Sequence, residues 1–148
     1  MMKTKLKKDW QGAEKTIEEM HNDARLWKSE VNFIEDEIRF LEHLLSFNYI
    51  ELLHVGLYKK IEYFVNELTT QKKNGKTLLK LIKEHELVLA DLISKNSATE
   101  NKIFLKKHRN LHNKIEKYFY FFKNNKKQIF KIIEKIMREK NKKMLLNS

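Results

Sequence analysis

The chain has 148 residues, of which 41% are apolar and 34% charged, and a formal net charge of +11. That length favours one domain, and the balance is too apolar for a disordered chain and too charged for a membrane protein. There is no cysteine and no proline, and only three glycines, which excludes disulfides, thiolate metal sites and cysteine nucleophiles and leaves few helix breakers.

The first residues, MMKTKLKKDW, are basic but lack the apolar core of a signal peptide. No apolar run approaches the roughly 18 residues of a membrane span, so a cytoplasmic location is the expectation. A 3-4 alternation of apolar residues then runs through Trp10, Ala13, Ile17, Met20, Ala24, Trp27, Val31, Ile34, Ile38, Leu41 and Leu45. This is a heptad seam, and it predicts a helix over about 13–47. Thr16 and Glu19 have capping-box spacing, but the seam already passes through them. A second row, Leu26, Phe33, Phe40 and Phe47, repeats every seven residues beside the seam.

Ser46-Phe47-Asn48 marks the first turn. The next seam runs from Ile50 and His54 through Leu57, Ile61, Phe64, Leu68, Gln71, Gly75, Leu78, Ile82, His85, Leu89 and Leu92, and predicts a helix over about 50–95. Asn74-Gly75 is a turn signal, but the alternation keeps its phase through it, so a continuous helix with a kink is favoured over a hairpin. Lys95-Asn96-Ser97 is the second turn, with Ser97 and Glu100 spaced as a capping box. The third seam, Phe104, His108, Leu111, Ile115, Tyr118, Phe122, Asn125, Ile129, Ile132 and Ile136, predicts a helix over about 98–140, followed by a fraying basic tail. The architecture expected is all-α: one domain over 1–148, an elongated up-down-up antiparallel three-helix bundle. A four-helix bundle with a turn at Gly75 is the alternative.

Charge is uneven along the chain. Residues 13–47 carry a net −5 and residues 102–148 a net +12. The excess could serve an anionic partner such as nucleic acid. Only four of the 31 bases are Arg, the residue that reads nucleic acid bidentately, so a compositional origin is favoured.

Polar residues on the seams are the remaining candidates for chemistry. In antiparallel helices joined near residue 96, His85 and His108 fall in one layer. His112 follows one turn later, and Glu14 and Glu18 of the first helix could reach the same layer. His108, His112 and Glu116 have the HxxxH and HxxxE spacings of hemerythrin-like domains, and Glu51 with His54 has the ExxH spacing of ferritin-like di-metal bundles. The further ligands that those families require do not follow in order. No metal or other cofactor is therefore expected, with His85, His108, His112, Glu14 and Glu18 as the metal candidates. Structural histidines that fix register are favoured instead, paired with each other, a carboxylate or water. Gln71 and Asn125 read as alignment amides, with Trp27 expected across from Gln71 and Gly75.

Catalytic signatures are absent. Gly75-Lys76-Thr77 shares GKT with a phosphate-binding loop, but the first glycine of that motif would fall at Thr70, and no strand precedes it. The expected function is non-catalytic protein–protein contact, including self-association, through apolar residues beside the seams: Leu26, Phe33, Phe40, Phe47, Phe119 and Phe121. The alternative is nonspecific nucleic-acid binding through Lys106, Lys107, Arg109, Lys114, Lys117, Lys123, Lys126, Lys127 and Lys131. No small-molecule substrate is evident.

Overall fold

A computed structural model describes residues 15–95 and 101–146. They form four helices: α1, Ile17–Phe47; α2, Tyr49–His54; α3, Tyr58–Ser94; and α4, Asn101–Leu146. No strand occurs among the described residues, and the fold is an all-α helical bundle. No described helix is long and apolar enough to cross a membrane.

Local chemistry sets the boundaries. Thr16 and Glu19 close a reciprocal capping box: Thr16 N–H donates to Glu19 Oε1 at 3.0 Å, and Glu19 N–H donates to Thr16 Oγ1 at 3.1 Å. Two donors that a helix start leaves orphaned are thereby satisfied. The helix begins at Ile17, about a turn later than apolar spacing alone indicates.

Asn48 interrupts the helix for one residue without reversing the chain. Its amide nitrogen Nδ2 donates back to Leu44 O at 2.9 Å, and its carbonyl accepts from Leu52 N at 3.0 Å. The break comes at Val55-Gly56-Leu57. There Leu57 N donates to Leu52 O and Gly56 N to Leu53 O, both at 3.0 Å, with Gly56 at φ 74°. This is a Schellman stop, which needs the left-handed conformation that glycine adopts without strain. The expected helix over 50–95 is therefore two helices, and the seam loses phase at its start. Ile50 is 67% exposed and His54 exposed, while Leu52 is fully buried.

Gly75 lies inside α3, so the four-helix alternative with a turn there is not what the chain adopts. A Cβ built on Gly75 would stand 2.6 Å from Tyr118 Oη. The glycine lets a tyrosine approach the α3 backbone, and Gly75 faces Tyr118. The second expected turn, with its Ser97–Glu100 cap, lies outside the described residues. Helix α4 continues to Leu146 rather than fraying from Lys140.

The described residues group into two compact units. One comprises α1 up to Asn32 with Lys76–Lys117, and it buries Met20, Ala24, Trp27, Ile82, Leu89 and Ile115. The other comprises Phe33–Gly75 with α4 from Tyr118 onward, and it buries Ile38, Leu41, Leu52, Leu68, Phe122 and Ile129. Every described residue of the α1 seam is buried. On α4 the buried stripe is wider than the seam, adding His112, Phe119 and Ile133, with Ile133 rather than Ile132 inside.

Candidate functional site

The first unit buries a chain of polar groups that its seams bring together. Lys15, just before the α1 cap, donates from Nζ to Asp23 Oδ2 at 2.6 Å, with both side chains buried. His108 Nε2 lies 2.9 Å from the same carboxylate oxygen. A carboxylate only accepts, so Nε2 carries the proton. His108 Nδ1 lies 2.8 Å from His85 Nε2. In the neutral His108 ring Nδ1 is an acceptor, so His85 donates. The direction is thus His85 to His108 to Asp23, with Lys15 donating to Asp23 from the other side. Trp27 stacks on His108 with ring centroids 4.4 Å apart, and the His112 ring is 5.8 Å from Trp27.

The environment keeps the imidazoles neutral. Burial pushes His85 down to about 4, helped by His108 and Lys107. Burial also lowers His108, against the opposing pull of Asp23, and lowers His112, against the pull of Glu116. Burial would raise Asp23, but the hydrogen bonds from His108 and Lys15 more than reverse it, and its carboxyl titrates below the ordinary range. The buried charges are one ammonium and one carboxylate in direct contact, the arrangement that makes burial of charge tolerable.

His85 and His108 thus share one layer, as antiparallel pairing requires. The carboxylate in that layer is neither of the expected ones. Glu18 is exposed and Glu14 lies outside the described residues; Asp23 takes the place instead. The chain reversal centres on α2 rather than on residues 46–48, so the part of α1 that meets His85 lies about two turns later than expected. Asp23 directly precedes the seam residue Ala24, a flanking position where an acid is normally read as solvated. Lys15 gave no signal in the apolar pattern.

As a metal centre the group is strung out in line, with both ring nitrogens of His108 engaged inside the protein. Among the described residues no three His, Cys, Asp or Glu side chains group as metal ligands. Glu51 accepts from Lys140 at 2.8 Å and His54 is exposed, so that ExxH pair does not join the cluster. The arrangement holds the His85 ring in one orientation and leaves Nδ1 as the nitrogen it can offer outward.

The other expected residues separate by exposure. Phe33, Phe40 and Phe47 are 61%, 56% and 82% exposed, Phe121 is half-exposed and Leu26 half-buried. Phe119 is a core residue, 4% exposed, and not an interaction residue: its heptad position flanks the α4 seam and turns it inward. Lys106, Lys107, Arg109, Lys114, Lys117, Lys123, Lys127 and Lys131 are exposed, whereas Lys126 is half-buried and bonded to Glu37 at 2.7 Å. Comparison of the chain with protein-family models, curated proteins and solved structures finds no match.

Proposed function

We propose that this chain is a non-catalytic helical-bundle protein that acts through protein–protein contact, and that its first partner is a second copy of itself. The supporting observation is the row of Phe33, Phe40 and Phe47 on α1, all in the second unit and all well exposed. Three phenylalanines spaced by seven residues stand on one strip of a helix. Burying a phenylalanine is worth about 1.5–3 kcal/mol, so water is a poor partner for such a strip. Two copies paired antiparallel about a two-fold axis would set Phe40 against Phe40 and Phe33 against Phe47, an isologous contact. Glu37 would then face His43 of the other copy. Sedimentation equilibrium of the intact chain tests this reading. A dimer at micromolar concentration is expected, with Phe40→Glu sedimenting as a monomer and melting like the parent. A parent that stays monomeric at tens of micromolar contradicts it.

Nonspecific nucleic-acid binding is a second reading, favoured by one feature. In the second unit Lys59, Lys60 and Lys131 converge with Tyr63 and Gln128 on an open groove of about 430 Å³. No carboxylate lines it, and Tyr63 is half-exposed, a combination suited to a single strand. Filter binding to an oligonucleotide should show log affinity falling with log salt at a slope of about −2 to −3 for three phosphate contacts. A slope unchanged when Lys59, Lys60 and Lys131 become Gln contradicts this reading.

A further inference from the structure

The buried relay ends at the wall of a groove. In the first unit α3 and α4 leave a cleft of about 370 Å³, lined by Leu81, Val88, Phe104 and Leu111 and by His85 at its wall. That volume lies within the range of small-molecule sites, which are largely apolar with a few placed polar groups. From Phe104 to Lys114 the cleft follows α4 for about 15 Å at 1.5 Å per residue, enough for an aliphatic chain lying between the helices. His85 cannot swing into the space, because His108 holds its Nε2 at 2.8 Å and Asp23 in turn holds His108. The shape is preformed, which lowers the ordering cost of an occupant.

Charge selects the occupant. Lys107 and Lys114 stand two turns apart on α4 and line the cleft. Neither is within ion-pairing distance of a described carboxylate, including Glu84 on the facing helix. Two cations against one anion over an apolar floor complement a molecule with an apolar body and one negative end. We propose that this cleft binds a monomeric amphipathic carboxylate, its body against Leu81, Val88, Phe104 and Leu111 and its charge on Lys107 or Lys114.

Calorimetric titration of the full-length chain at neutral pH with octanoate, and with 1-octanol as the uncharged comparison, tests this. Saturable one-to-one binding is expected, with octanoate about fivefold tighter than octanol, the upper end for one partly exposed ion pair. Lys107→Gln with Lys114→Gln should bring octanoate down to the level of octanol. Val88→Trp, at a position 44% exposed and one turn from His85 on α3, should abolish the binding of both by filling the cleft. Circular dichroism checks that the variants stay helical, and if Val88→Trp unfolds, the lysine pair decides. The proposal is overturned if octanoate binds no tighter than octanol, if uptake never saturates, if the folded Val88→Trp variant binds unchanged, or if only phosphatidylglycerol vesicles and not monomeric octanoate are bound. None of these outcomes depends on self-association through the phenylalanine row.

Discussion

Asp23 joins the buried relay at a single atom: Oδ2 accepts from Lys15 and from His108. Asp23→Asn keeps the shape but removes the charge that Lys15 faces. Breaking a buried pair by neutralising one partner costs about 3–5 kcal/mol. Urea denaturation at neutral pH should show a loss of that order, and a loss under about 1 kcal/mol would mean that water already screens the pair. The histidines predict a pH dependence with a definite sign. His85 titrates at about 4 in the folded chain and near 6.5 when unfolded, so between those values the unfolded chain binds the extra proton. The contribution is fully present above pH 6.5 and is lost as pH falls towards 4, amounting to roughly 3 kcal/mol. His108 and His112 are shifted in the same direction. The urea midpoint should therefore fall steadily from pH 7 to 4.5. His85→Gln, whose amide can still donate to His108, should flatten that slope, and an unchanged slope would remove His85 as its source.

At the scale of the helices, α3 and α4 approach closely where Gly75 meets Tyr118. Alanine at position 75 would gain about 1 kcal/mol of helix propensity. Its Cβ, however, would stand 2.6 Å from Tyr118 Oη and 3.3 Å from Cζ, and a buried ring has little room to yield. Gly75→Ala should destabilise the chain by about 1–2 kcal/mol, within the range of overpacking. Tyr118→Phe should be neutral or slightly stabilising. The hydroxyl is buried with no hydrogen-bond partner among the described residues, and burial pushes its titration up to about 12. The double variant should recover most of the Gly75→Ala loss, and additive thermal shifts would show that the two side chains do not meet. The same helices show what the sequence made legible. The α1 seam, the α4 seam and the His85–His108 layer all follow from 3-4 spacing, because that spacing is the geometry of burial. Phe119 and Phe40 are each next in sequence to a seam residue, yet one is inside and the other outside. Phe119 occupies the heptad position next to the seam, and Phe40 a position on the outer face. Spacing alone did not separate them; phase relative to the seam would have. The stop at Gly56 was hidden because Leu57 and Ile61 keep the alternation going through a glycine that needs positive φ. Missing it shifted the expected α1 register and concealed Asp23.

At the scale of the molecule, acids and bases on different helices pair within each unit. In the second unit Glu37 pairs with Lys126, Glu51 with Lys140 and Glu42 with Lys72. In the first unit Glu86 pairs with Lys28. Each pair is partly exposed and worth at most about 1 kcal/mol, so their combined effect is to favour one helix alignment rather than to supply the bulk of stability. The phenylalanine row of α1 stays exposed among the described residues, and the proposed self-association rests on it. Dipolar electron spin resonance reads the pairing directly, because a chain without cysteine can carry one thiol-linked label at a chosen place. In the two-fold antiparallel dimer, labels at Arg39→Cys lie across from each other. Those at Ser46→Cys are separated by about 18 Å along the helix axis. A clearly shorter distance is expected at 39 than at 46. Equal distances, a shorter one at 46, or no dipolar coupling at either site would contradict it.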